Sequence, residues 1–600
     1  MTPELKPFLG GTYFPPVDQD GQSGLVSVLR QIDDLWRTRR ADLEQQGEQA
    51  LAALRAQSAP APAPDGTEPP SAGHLCRELI AACAARFDAQ RGGFGDGPKF
   101  PRPAALDALL AAHRRDPASD DGRRALAMVL GTLRAMARGG IHDHLGGGFH
   151  RYSVDGAWRV PHFEKMLYDQ GQLAVTLSEA YRLTGDPELA AVLRRLCDYV
   201  IRDLSDPAGG FHAAEDADSL LDADGDAHAE GAWYVWSDAE IGAALTADEA
   251  AVVRRRFAIT PAGNVRAELD PRGALRGRNV LDIAEDAADI ARALGTEAGT
   301  VETLLDAATT KLTAARSARP RPHRDDKIIT AWNGLMIHGL ARAAQALDEP
   351  RYAAAASRAA SFLRDQLFDE ATGTLFRTWR RGQRDGTQAM ATDHAYLAQG
   401  LVALAETTGE SRWFAWANAL LTRLDRDFSD PDGGWFDTDG RDPSVLLRQR
   451  EDYDGAEPSA SAVALDAGIR LAEVFDDHAR RKGLLVIGTA LSRRAASAPT
   501  GMPAALAAVM LLERPLRRIV ITGTAASASA LLRIAQRSPP ERVIILLDGP
   551  ARALLAVDQP FLAAMPLPEA PATAFVCTGT SCQLPTTDPA ALGDRLSTAR

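Results

Sequence analysis

Phe428-Ser429-Asp430-Pro431-Asp432-Gly433-Gly434-Trp435-Phe436 is the clearest copy of a turn that recurs along this chain. An aspartate closes a helical stretch, glycines supply a left-handed step, and an aromatic follows on a short extended piece. Phe87-Asp88 with Gly92-Gly93-Phe94 repeats the pattern. So do Leu204-Ser205-Asp206 with Gly209-Gly210-Phe211, and Leu367-Phe368-Asp369 with Gly373-Thr374-Leu375-Phe376. Gly146-Gly147-Gly148-Phe149 is a fifth, looser copy. Adjacent copies stand roughly 55–65 residues apart, the length of two helices and two loops.

Between the turns the chain is rich in Ala, Leu and Arg at helical spacing. Five turns and one degenerate unit predict about six helical hairpins, which bury their faces only against neighbours and so close into a ring. The expected fold is mainly α, an (α/α)6 toroid over residues 71–514, with an open α-solenoid as the alternative. The spacing breaks between Phe211 and Gly373. An insertion is therefore expected at about 220–320, carrying a strand-like Glu230-Gly231-Ala232-Trp233-Tyr234-Val235-Trp236.

Outside the ring two boundaries are visible. Residues 58–70 alternate Ala and Pro and read as a semi-rigid linker. From 515 to 600 the apolar runs beginning at Arg518, Arg542 and Thr573 read as buried parallel strands of a small α/β region.

Composition bounds the function. The 600 residues carry 45% apolar and 24% charged side chains, the balance of a folded protein. A net charge of −13 with both signs interspersed argues against a nucleic-acid surface. No apolar run is long enough to span a membrane, and the first residues do not form a secretory signal. Five cysteines are too few for a disulfide framework, so a reducing, cytoplasmic setting is expected. Cys577 and Cys582 read as a buried strand end, with a redox or metal pair as the alternative. GxxxxGK[ST], GxGxxG and Gly-x-Ser-x-Gly are absent.

Three clusters carry chemistry. From Gly139 to Asp169 lie four of the twelve histidines, among them His142 and His162, with Asp143, Arg151, Tyr152, Glu164, Lys165 and Asp169. Histidine is suited to proton transfer near neutrality, and the neighbouring charges set its tautomer and pKa. The alternative is a buried polar network beneath glycine turns. His142-x-His144 chelates only from an extended segment, without a Cys set or HExxH, so no metal or cofactor is expected.

The second cluster holds Glu215, Asp216 and Asp218, then Asp222, Asp224 and Asp226, then Glu230 and Trp233. The aspartate run lacks EF-hand spacing and reads as a solvated loop. The third holds Asp326, Lys327, Trp332 and Asn333, and the stretches Asp393 to Tyr396 and Asp452 to Ser459 follow at the same phase of the repeat. Aromatic faces beside carboxylates and amides suit a polyhydroxylated ligand.

Gly97-Pro98-Lys99-Phe100-Pro101, Pro161-His162-Phe163-Glu164-Lys165-Met166-Leu167-Tyr168-Asp169, Glu215-Asp216-Ala217-Asp218-Ser219, Glu230 to Trp236, and Asp326-Lys327 with Trp332-Asn333-Gly334 resemble the spermatogenesis-associated protein 20 family, also called thioredoxin domain-containing. The resemblance covers nearly the whole chain. It implies a thioredoxin-like N-terminal domain, a toroid similar to N-acylglucosamine 2-epimerase and six-hairpin glycosidases, and a small α/β region. The family's Cys-x-x-Cys precedes the segment resembling Pro7 to Pro16 and is absent here. Residues 1–57 are thus expected to be a thioredoxin-like remnant without thiol–disulfide exchange. At Pro458-Ser459-Ala460-Ser461-Ala462 the family usually reads Pro-Ser-Gly-Asn-Ser, a lost amide.

The leading expectation is an epimerase-like acid/base isomerase acting on a sugar-like compound. His162 and His142 would be acid and base, oriented by Glu164 and Asp143. Arg151 and Lys165 would hold oxygens, and Trp233, Trp332 and Asn333 would line the pocket. Tyr152, Asp169, Glu215, Asp216, Asp218, Asp326, Lys327, Asp393 and His394 would complete it. A non-catalytic ligand-binding or interaction protein is the alternative, and a glycosidase-like hydrolase the third reading.

Overall fold

The ring helices are delimited by local chemistry. Ser71, Ser119 and Ser459 cap helix starts by accepting the backbone N–H of His74, Gly122 and Ala462 at 3.3, 3.0 and 3.3 Å. Gly185 and Gly409 end helices in the left-handed region, at φ 67° and 77°. The computed structural model describes residues 1–19, 21–58, 69–221, 225–270, 273–557, 559–565, 571–579 and 581–598.

Among the described residues twelve helices alternate between an outer and an inner layer. The inner six are Pro103–Arg115, Leu167–Thr184, Thr330–Leu347, Ala391–Thr408, Ala460–Val474 and Pro503–Leu512. Each packs on the next, and the last packs on the first, so the ring is a closed (α/α)6 toroid and not an open solenoid. The outer six are Ala72–Arg86, Asp120–Arg138, Pro187–Tyr199, Pro350–Leu367, Arg412–Phe428 and His478–Ala495. Inner helices approach closely where a side chain would not fit. A Cβ on Gly339 would stand 2.5 Å from the Gly171 carbonyl oxygen, and one on Gly400 2.5 Å from that of Gly334.

The five glycine turns lie on one face, each leading from an outer helix into an inner one. Asp88, Asp143, Asp206, Asp369 and Asp430 each accept a backbone N–H two or three residues ahead. Bridges Phe87↔Phe94, His142↔Phe149, Ser205↔Phe211 and Ser429↔Trp435 close four of them. The second copy is therefore complete: Asp143 is its aspartate, and His142 stands where the first copy has Phe87.

The insertion folds as a helical unit with its own apolar core around Trp236, Ile241, Val253 and Leu312. It braces the second turn through Arg138–Asp286 at 2.7 Å and Arg316–Asp143 at 2.8 Å. Its strand is shorter than the sequence suggested. His228–Glu230 pairs with Asp218–Leu220, and Gly231 at φ 74° then turns the chain so that Trp233 and Trp236 stack on Arg316 and Arg319. Asp222 and Asp224 of the acidic loop lie outside the described residues.

At the N-terminus are helices Leu25–Thr38 and Arg40–Ser58, the second buried through Leu43 and Leu51. Most of the Pro-rich linker lies outside the described residues. The C-terminal region has Arg517–Thr522 parallel to Arg542–Leu547. Thr573–Thr578, expected to be parallel, is antiparallel to the first strand and hairpins into Ser581–Cys582. Cys577 is buried near the end of its strand, as expected, whereas Cys582 is exposed across that hairpin, and the two form a disulfide. Cys76, Cys83 and Cys197 are buried free thiols. Among the described residues no helix is long and apolar enough to cross a membrane.

Candidate functional site

The inner helices begin on the face that carries the glycine turns, and their first turns ring a mouth. Strand Pro161–His162 pairs with Tyr152–Ser153 there, placing the His162 ring on Tyr152 at 5.1 Å and Tyr152 on Phe100 at 4.7 Å. His162 Nδ1 lies 2.7 Å from Glu230 Oε1, and its Nε2 lies 3.5 Å from Glu164 Oε2. Hydrogen bonding to Glu164 and then to Glu230 raises the imidazole to about 9 against the opposing effect of burial. At neutral pH His162 is an imidazolium and a proton donor, and it is not a free base.

Arg151 donates to Glu164 at 2.9 Å and also reaches the Tyr168 hydroxyl, while its buried Nε has no partner among the described residues. Hydrogen bonding from His162 holds the Glu164 carboxyl below its ordinary value. Tyr168 and Trp332 open adjacent inner helices and meet edge to face at 4.9 Å. Beside them Asp169 is 4% exposed, and its buried Oδ2 has no hydrogen-bond partner among the described residues. Burial pushes its carboxyl well up, reinforced by Glu457 and Glu164 and only partly offset by Arg151. Glu457 accepts from the Trp332 indole and is raised by burial. Arg377 closes the ring of charges, its Nη1 2.8 Å from Asp393 Oδ2.

His162, Glu164, Arg151, Tyr152, Asp169 and Trp332 thus come together. Asp393 supports them from below. It is fully buried, accepts the backbone N–H of Ala331 at 2.9 Å and Met390 at 2.8 Å, and orients Arg377.

The other candidates lie elsewhere. His142 is 2% exposed, its Nδ1 3.1 Å from the Ala137 carbonyl, and burial drives it well below the ordinary imidazole value. It is part of the ring wall and is not the partner of His162. Asp143 is a turn aspartate locked to Lys165 Nζ and Arg316 Nη1, both at 2.8 Å. Glu215 accepts from the Tyr199 hydroxyl at 2.8 Å and from Arg321 at 3.0 Å. Trp233 lies 4.1 Å under the Arg316 guanidinium. His394 is buried against Phe428. Asp216 and Asp218 are exposed, Asp218 facing Glu230 across its ladder. Asp326 pairs with Arg380, and Lys327 with Asp325 at 3.0 Å.

Asn333 is a clamp with no surface in the mouth. It accepts the Phe211 N–H at 2.8 Å and donates to the carbonyls of Phe211 and Ile329, each at 3.0 Å. Gln170 holds Phe149 in the same way, and Ser461 Oγ accepts the Trp435 N–H at 3.2 Å. The amide lost at Ser461 is therefore a turn clamp, of which the hydroxyl keeps one bond. We expect Asn333→Ala to lower unfolding free energy by about 1–3 kcal/mol through the orphaned groups. Urea denaturation measures it, and an unchanged midpoint would remove the clamp role.

Arg377 and Glu457 were not among the expected site residues. Arg377 directly follows Phe376, the aromatic of the fourth turn, the place that His150 and His212 take after Phe149 and Phe211. Among the described residues no group of three or more His, Cys, Asp or Glu is placed to hold a metal ion.

The family model Thioredox_DsbH, described as a protein of unknown function (DUF255), matches residues 1–55. The human protein named Spermatogenesis-associated protein 20 is 37% identical over 613 residues, covering 99% of this chain and 78% of that protein. The Caenorhabditis elegans uncharacterized protein B0495.5 is 34% identical over 521 residues, 84% of this chain and 70% of that protein. Among solved structures, a cellobiose 2-epimerase from Bacillus thermoamylovorans aligns at TM-score 0.42 and 10% identity, over 69% of this chain and 85% of its own. A GH76 α-mannanase from Bacteroides thetaiotaomicron aligns at TM-score 0.43 and 9% identity, over 74% and 95%.

Proposed function

We propose, from the premise that the chain belongs to the spermatogenesis-associated protein 20 family, that its toroid mouth binds a sugar or sugar-like compound and moves a proton beside its carbonyl, as an epimerase-like isomerase. The observation that carries this reading is a charged imidazolium and a buried carboxyl joined through Glu164 and Arg151. His162 is held as a cation, raised to about 9. Asp169 is held as an unusually basic carboxyl by burial. Both groups are shifted upward, which leaves a charged imidazolium as the proton donor and gives the carboxyl more than ordinary basicity.

In this mechanism the Asp169 carboxylate takes the proton from the carbon next to the carbonyl, and the C–H electron pair moves into the enediol(ate). The His162 imidazolium donates to the carbonyl oxygen, where the charge develops. Delivery of the proton to the former carbonyl carbon, or to the opposite face of the original one, gives the isomer, and collapse of the enediol hydroxyl to a carbonyl returns the proton to His162. Glu164 and Glu230 keep His162 charged and oriented. Arg151 and Arg377 hold ligand oxygens, and the Tyr152, Tyr168 and Trp332 rings take its C–H faces. The reading keeps the protein in the cytoplasm, supported by three buried free thiols and opposed by the Cys577–Cys582 disulfide.

The test is proton NMR in D2O with reducing and N-acetylated sugars. We expect deuterium to enter beside the carbonyl, and His162→Gln to slow entry by about 10²–10³-fold. The rate should rise with pH as Asp169 ionises and fall as pH climbs through about 9, where His162 loses its proton. New reducing ends released from a glycoside would replace the isomerase with a hydrolase. Neither exchange nor product, from a folded protein that retains ligand, would leave a binding role.

A further inference from the structure

A second chamber lies below the mouth. A cavity of about 830 Å³ runs along the axis of the ring, within the size range of small-molecule sites. Tyr168, Trp332 and Tyr396 stand one turn above its lining residues Gln172, Leu335 and Gln399, and form a floor between mouth and cavity. Tyr396 bonds the Pro458 carbonyl and Gln172 donates to that of Ala456 at 2.9 Å, closing the floor. The lining extends the other way to exposed Arg514 and Pro515 and to Glu541 of the α/β region. The chamber therefore opens on the face opposite the mouth.

Its interior is electrically satisfied. Asp466 is held by Gln399 at 3.0 Å and Arg470 at 3.2 Å, and Glu179 by Arg182 at 2.7 Å. Asp107 takes the Thr176 hydroxyl at 2.7 Å, and burial raises its carboxyl to about 7. Burial likewise lowers His338 to about 3, keeping it neutral. Between these groups the wall is hydrocarbon, from Leu110, Val175, Leu335, Val463 and Leu511.

The opening has the other character. Arg115, Arg514 and Arg517 gather there, and the whole lining holds six arginines against four carboxyl groups. Arg514 and Arg517 each donate to a backbone carbonyl, of Arg115 at 3.0 Å and Leu596 at 2.7 Å. Arg115 is paired to Glu513 at 2.8 Å through Nη2, while its buried Nη1 has no partner among the described residues.

We propose that this axial chamber is a second ligand site, which takes an amphipathic monocarboxylate with its chain along the ring axis and its head on the arginines at the opening. A chain burying apolar surface supplies affinity, and a carboxylate matches guanidinium in charge and fork geometry.

Titration calorimetry on the full chain with sub-micellar dodecanoate, dodecylammonium and dodecanol tests this. Dodecanoate should bind tightest. Arg514→Gln with Arg517→Gln should raise its Kd by about tenfold and leave dodecanol unchanged. Val175→Trp, which fills the chamber from a half-buried position, should abolish dodecanoate binding with an unchanged circular dichroism spectrum. Equal or tighter binding of the amine or the alcohol would overturn the proposal. So would no binding at all, or dodecanoate binding that survives a folded Val175→Trp. Sugar exchange at the mouth is scored separately, so this site stands or falls without that one.

Discussion

Asp169→Asn is expected to abolish exchange at the mouth, by about 10²–10⁴-fold in rate, while making the protein more stable. Both effects have one cause. The carboxyl is 4% exposed, its Oδ2 is orphaned, and burial raises it well above the ordinary value. A carboxyl whose folded pKa is raised opposes folding once the pH exceeds its unfolded value, and continues to do so above the folded one. The neutral amide removes that penalty, about 1–3 kcal/mol at neutral pH, and also removes the base. Stability gained with activity lost is the signature of a group kept for function. Urea unfolding and the D2O assay on one preparation read both. A destabilised Asp169→Asn would mark the carboxylate as structural, and undiminished exchange would remove it as the base.

Asp143→Ala should have the largest effect on the fold. Asp143, Lys165 and Arg316 are all nearly buried, at 6%, 1% and 2% exposure. Removing the carboxylate leaves two cations facing each other with only Glu215, itself paired to Arg321, near Lys165, at a cost of about 3–5 kcal/mol. The backbone N–H groups of Leu145 and Gly146 lose their acceptor as well. Burial alone would raise Asp143, but Arg316 and Lys165 outweigh it and hold the carboxyl well below its ordinary value. Its contribution is therefore present above the unfolded carboxylate pKa and is lost as pH falls through the folded one. We expect a sharply lower urea midpoint at pH 7, with the gap from the parent protein narrowing in acid. A midpoint within error of the parent would show the triad to be replaceable.

These two aspartates mark how far the site was legible. Asp143 and Asp169 both stand in the histidine-rich stretch and look equivalent as residue types. The repeat itself separates them. Asp143 precedes Gly147-Gly148-Phe149 at the spacing that Asp88 keeps to Gly92-Gly93-Phe94, and His142 takes the wall position of Phe87. Aligning the turns before assigning chemistry would have moved both into the ring wall. Asn333 was equally readable, since Gln170 and Ser461 sit at matching starts of inner helices. The repeat places Arg377 directly after the aromatic of the fourth turn but does not give its role, because that depends on Asp393, which belongs to the next helix.

The sequence by itself determined the helical hairpins, their turns and the insertion, because those follow from local periodicity, capping and glycine φ. It also carried the family. Ring closure depended on Pro503–Leu512 returning to Pro103–Arg115, a contact between segments some 400 residues apart. Tertiary structure alone decided which charges became wall and which became mouth. A carboxyl is a strut when two cations share its burial, as at Asp143, and is pushed above its ordinary pKa when it is buried without sufficient counter-charge, as at Asp169. That distinction depends on the packing of distant segments, and residue type does not record it.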